Sequence, residues 1–101
     1  MKGIYNNMEN GVKLDFKKDI TNLAGYEFGQ LIYMNQVKGR INLNNEFEII
    51  FPDHVTAIAS SFVQGFFSEI VGVLGLLETE RNAKIKASTE DLANSVLEKL
   101  E

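Results

Sequence analysis

The chain contains no cysteine and no tryptophan, and only one proline and one histidine. Without cysteine there is no disulfide framework, no thiolate zinc site and no thiol nucleophile. That absence accords with a reducing compartment, and a cytoplasmic location is the expectation. With His54 as the sole histidine, an imidazole-based metal site lacks a second ring, and a histidine general base lacks a thiol to activate. Neither GxxxxGK[ST] nor GxGxxG occurs, so nucleotide binding has no motif behind it. Long apolar runs are missing too. IVGVLGLL at Ile70–Leu77 is far short of the roughly 20 residues a spanning helix needs, so no membrane insertion is expected. The opening MKGIYNNMENG carries no apolar core of the signal-peptide kind.

What is present is ordinary globular material: 101 residues, 45% hydrophobic and 24% charged. One domain over residues 1–101 is expected, large enough to bury a core without covalent staples. Ten basic against fourteen acidic residues give a net charge of −4, which argues against a nucleic-acid partner. The basic residues Lys13, Lys17, Lys18, Lys38 and Arg40 also lack the interleaved aromatics of a strand-binding face.

The periodicity alternates between two and three-to-four. GVKLDF at Gly11–Phe16 reads as a strand with Val12, Leu14 and Phe16 on one face. The turn residues before it allow Lys2–Tyr5 to pair with it as a hairpin. From Asn22 to about Lys38 a helical stripe of Ala24, Phe28, Leu31 and Ile32 is expected, capped by Asp19 or Thr21 and stopped at Gly39. Gly25 and Gly29 share a face of that helix. Two explanations stand side by side: close approach of another backbone, or a helix that starts late. EFEIIF at Glu46–Phe51 becomes apolar throughout, as a central strand does, and Pro52 closes it. A long helix follows from Ser61 or Phe62 to about Leu77. Its wide apolar stripe should make it the most buried one, with Gly65, Gly72 and Gly75 permitting close packing or an early end. AKIKA at Ala83–Ala87 is a short strand. The last helix is expected with Ser88 as N-cap and Asp91 three residues on. The order β-β-α-β-α-β-α implies an α/β fold.

Chemistry-bearing residues are sparse. His54 and Asp53 after Pro52 read first as turn and loop residues. The carboxylates are scattered, with no pair placed for acid–base work. Ser61-Phe62-Val63-Gln64 matches a capping box, which gives Ser61 a structural role at the helix start. Ser60 lies one residue before that cap, at the positive end of a helix, where added phosphate is electrostatically favoured.

A strand, a short loop, then Val55-Thr56-Ala57-Ile58-Ala59-Ser60-Ser61-Phe62 opening an apolar helix, resembles the STAS fold of anti-sigma-factor antagonists. It looks closest to the uncharacterised STAS-like group. The resemblance covers most of the chain from about Val12, and its specific part is Phe51–Phe67. It implies a mixed four- or five-stranded sheet with about three helices packed mainly on one face. In antagonists of this type the first serine of Asp-Ser-Ser-Gly is phosphorylated, and Ser60 matches that serine. Ala59 and Phe62 depart from the aspartate and glycine of the pattern. The resemblance thus implies a non-enzymatic regulatory or adaptor module without cofactor or metal. Its protein partner would be of the serine-kinase, anti-sigma ATPase kind, bound around Asp53, His54, Thr56, Ser60, Ser61 and Gln64. The alternatives are a binder of a small anionic ligand, a nucleotide or lipid, held at the same loop and helix start, and a homo-oligomer built through the glycine-bearing helix faces.

Overall fold

The computed structural model describes residues 10–101, and the expected Lys2–Tyr5 strand lies outside that range. The described chain is α/β. Its strands are β1 (Gly11–Lys13), β2 (Asn22–Leu23), β3 (Phe47–Ile50), β4 (Ala57–Ile58) and β5 (Ala83–Lys86). The helices are α1 (Tyr26–Ile32), α2 (Ser60–Leu74), α3 (Leu76–Asn82) and α4 (Glu90–Glu98). A π-helical segment, Tyr33–Val37, continues α1.

The strands form two small sheets rather than one. β1, β3 and β5 pair in that order, with β3 central, and β2 pairs with β4 as a separate ribbon. Every pairing among the described residues is parallel, as strands alternating with helices imply, and the mixed sheet that the resemblance implies is not seen in this range. The apolar character of Glu46–Phe51 agrees with the central place of β3.

Topology explains why one face of the main sheet is buried. The chain moves from β1 to β3 to β5 in one direction, and right-handed crossovers then put both connecting helices on the same side. Along β3 the burial alternates accordingly: Phe47 and Ile49 are buried, Glu48 and Ile50 only partly. The opposite face carries a charged ladder, Lys86 to Glu48 at 3.4 Å and Lys84 to Glu46 at 3.8 Å. Such exposed pairs contribute little stability but keep the bare face wet.

On the buried face α2 presents Phe62, Val63, Phe66, Phe67 and Ile70, none more than 1% exposed. Each such side chain stabilises the fold by about 1.5–3 kcal/mol through burial alone. Phe66 sits at the centre of the aromatic cluster. Its ring lies 5.0 Å from Phe67, 5.8 Å from Phe62, 6.0 Å from Tyr33 and 6.3 Å from Phe51. Burial, seconded by the Glu69 carboxylate, raises the Tyr33 phenol above its ordinary value.

Both explanations for Gly25 and Gly29 hold. The helix starts late, at Tyr26, with Gly25 as N-cap in a φ of 106°. Neither Asp19 nor Thr21 caps it. Instead the Thr21 carbonyl accepts from Thr56 N and Ala57 N as the chain enters the ribbon. Gly29 faces α2 so closely that a Cβ there would lie 2.3 Å from the Phe62 carbonyl oxygen. At Gly65 a Cβ would lie 1.9 Å from the Tyr26 carbonyl oxygen. Two glycines, one from each helix, let the backbones of α1 and α2 touch. The faces bearing Gly29 and Gly65 are thus spent on the contact between α1 and α2, while Gly72 and Gly75 have open space beside them.

Gly75, at φ 83°, ends α2. The helix expected to run to Leu77 therefore breaks and turns through 107° into α3, giving four helices where about three were expected. No single helix among the described residues is long and apolar enough to cross a membrane.

The start of α4 is one residue later than the sequence suggests. Thr89, not Ser88, is the N-cap, and its hydroxyl accepts from Leu92 N at 3.0 Å. The Ser88 hydroxyl instead donates to the Val55 carbonyl at 3.1 Å, which ties the end of β5 to the loop after β3.

Candidate functional site

In open parallel sheets, the loops beyond the carboxyl ends of the strands and the helix starts that follow them are the usual place for binding. Here that end is built from the loop after β1, the Pro52–Thr56 loop, the β2–β4 ribbon and the first turn of α2. The ribbon fixes the geometry. Thr56 N and Ala57 N both donate to Thr21 O, and Ala59 N donates to Leu23 O at 2.8 Å. The last bond keeps Ala59 extended, at φ −76° and ψ 154°, so the helix has to begin at Ser60.

That start displaces the expected capping box. Ala59 is the N-cap, and no side chain caps the helix. Ser60 becomes the first helical residue and Ser61 the second, beyond capping reach. The Ser61 hydroxyl oxygen instead accepts from Gly25 N at 2.9 Å, joining the start of α1 to the start of α2. Gln64 does not reach back to Ser61; its amide donates to the Lys99 carbonyl at 3.4 Å. Ser61 is structural, as the sequence suggests, but through a tertiary bond.

The six expected site residues do not converge on one pocket. Asp53 is exposed at the turn closed by Val55 N to Pro52 O, and it borders a shallow hollow with Lys13 and Ile50 on the bare side of the sheet. His54 is half-buried beside it, and its Nε2 is buried without a partner among the described residues. The Thr56 hydroxyl donates to Thr21 O at 3.4 Å, and its residue borders a groove over the ribbon. Gln64 lines a different depression with Tyr26, Ser68 and Leu76. Ser60 remains exposed, and its hydroxyl makes no hydrogen bond among the described residues. Of the two serines, one is engaged and one is free.

No three of His, Asp or Glu among the described residues gather as a metal-ion site. Glu80, whose carboxyl is raised by a hydrogen bond with Glu101, belongs to α3 and not to this region. One residue the sequence reading passed over does belong here: Lys99, whose ammonium donates to the Ile58 carbonyl. Its signal was its spacing. Lys99 lies seven residues after Leu92, so it continues the Leu92–Val96 stripe of α4 on the face turned to the protein.

The site and topology define a small parallel α/β domain with an exposed helix start beside a short accessory ribbon. No protein-family model, no curated protein and no solved structure matches the chain.

Proposed function

We propose that this chain is a non-enzymatic regulatory or adaptor module of STAS-like type. It binds a partner protein through the Pro52–Ala59 loop and the first turn of α2, with Ser60 as the switch. The observation that carries the reading is the division between the two serines: Ser61 is held by Gly25 N, while Ser60 is exposed and uncommitted at the positive end of a 15-residue helix. A phosphate on Ser60 would meet the helix dipole and the uncapped N–H groups favourably, and would present up to about −2 charge to a partner. A serine kinase of the anti-sigma ATPase kind would supply it from ATP. The resemblance around Phe51–Phe67 supports the same position, although Ala59 and Phe62 replace the flanking residues of the family pattern.

The test is quantitative co-purification of wild type, Ser60→Ala and Ser60→Glu from the native host, with mass spectrometry of Ser60. The expected result is one protein partner whose retention differs between the Ala and Glu variants, with both variants melting as wild type does. Recovery of the chain alone, with Ser60 unmodified, would sink the reading.

A further inference from the structure

We propose that the groove between the β2–β4 ribbon and α4 binds a small amphiphilic carboxylate, a medium-chain fatty acid in type, with Lys99 as its anchor. This site does not rest on the reading at Ser60.

The groove arises from the ribbon's own alternation. Leu23 and Ile58 turn into the core, which leaves Asn22 and Ala57 exposed on the outer side. The outer residues are small, with Ala24, Ala57 and Ala59 all lining the groove, and α4 closes one side with Leu92 and Lys99. The resulting cavity is about 500 Å³, within the range that small-molecule sites occupy. It lies at the carboxyl end of the strands, where parallel sheets take their ligands.

Charge decides what the groove should hold. Lys99 is half-buried and has no carboxylate partner among the described residues. The ion pairs in this range join Lys38 to Glu69, Arg81 to Glu78, Lys84 to Glu46 and Lys86 to Glu48. The other cations without a carboxylate in this range, Lys13, Lys17, Lys18 and Arg40, are all exposed. Donation to the Ile58 carbonyl blunts the free edge of β4, a familiar use of lysine. That contact takes one of the three ammonium donors and leaves the positive charge uncompensated. No second cation and no carboxylate lines the groove. One positive charge beside an apolar floor suits a monoanionic headgroup with a short hydrocarbon tail, and it suits a doubly charged phosphate poorly. The carboxylate would accept from Lys99 while the tail lies over the alanines against Leu92. Asn22 offers a further amide at the rim.

Titration of isotope-labelled full chain with sodium octanoate, followed by amide resonances, tests this. Shifts confined to Asn22, Ala24, Ala57, Ala59, Leu92 and Lys99 are expected. Lys99→Met, which keeps the aliphatic stem, should weaken binding about tenfold, the loss of one charge-assisted contact. Ala57→Phe fills the groove from an exposed position and should abolish binding without unfolding the chain. Octylammonium, with the same tail and opposite charge, should not bind, and Ser60→Ala should bind octanoate as wild type does. Absence of shifts into the millimolar range overturns the proposal, as does equal binding of octanoate and octylammonium. Binding of an apolar peptide with a free C-terminal carboxylate but not of octanoate overturns it too, in favour of a peptide site.

Discussion

The two ends of α2 are held in opposite ways. Its first half is pressed against α1: Gly65 lies under the Tyr26 carbonyl, Gly29 under the Phe62 carbonyl, and Ser61 accepts from Gly25 N. Its last turn packs on the core only through Val71 and Leu74 and is open on its outer side. A Cβ at Gly72 would meet nothing within 4 Å, and Val73 is 65% exposed. Beyond it Gly75 turns the chain away, leaving Leu76 and Leu77 exposed on α3. The same residue type, glycine, is therefore indispensable at one end for space and dispensable at the other. Helix propensity alone would treat Gly65 and Gly72 alike.

The largest effect should come from closing the gap at the tight end. Gly65→Ala puts a methyl group 1.9 Å from a backbone oxygen, and a backbone atom cannot rotate aside as a side chain can. The two helices must separate, which opens the layer above Phe62 and Phe66. Overpacking of this kind costs about 3 kcal/mol or more, against a propensity gain of only about 1 kcal/mol. Urea unfolding should show a large fall in midpoint or no cooperative transition. A variant as stable as wild type would mean that α1 and α2 do not pack backbone to backbone.

Next comes the hydroxyl that joins the two helix starts. Ser61→Ala leaves Gly25 N without its acceptor and should cost about 1 kcal/mol, or roughly 4–8 °C in melting temperature for a chain of this size. Ser60→Ala, one residue away, should change the midpoint by less than about 0.5 kcal/mol. A larger loss at Ser60 than at Ser61 would reverse their assigned roles and undercut the switch reading together with the fold's local geometry.

What the sequence discloses follows the length of its signals. The stripe from Phe62 to Ile70, the apolar run of β3 and the short AKIK strand all have enough residues to show a period, and all three stand in the structure. The β2–β4 ribbon does not show, because two residues per strand carry no period at all. Asn22–Leu23 therefore merges into the apolar stripe of the helix that follows. The capping signals err by two residues at α2 and by one at α4, for a shared reason. Ser61 and Ser88 spend their hydroxyls on distant partners, Gly25 N and the Val55 carbonyl. Local patterns cannot register a bond 36 residues away in sequence. At the start of α2 the sequence reading and the structure agree only on an exposed Ser60 and on a structural part for Ser61. Asp53, Thr56 and Gln64 face three different hollows, and Lys99 sits in a tail that reads as one more charged helix end.

The smallest effect has the opposite sign and tests the open end directly. Gly72 lies inside α2 and is exposed, with open space where a side chain would go. Alanine there restricts the unfolded chain and favours the helix without meeting any neighbour, so Gly72→Ala should stabilise the protein by about 0.5–1 kcal/mol. The gain should also be additive with the loss in Ser61→Ala, because the two positions lie eleven residues, about 16 Å, apart along the helix. A double variant whose midpoint departs from that sum would show that the two ends of α2 are mechanically linked. A loss of stability in Gly72→Ala alone would show that something covers this turn in solution.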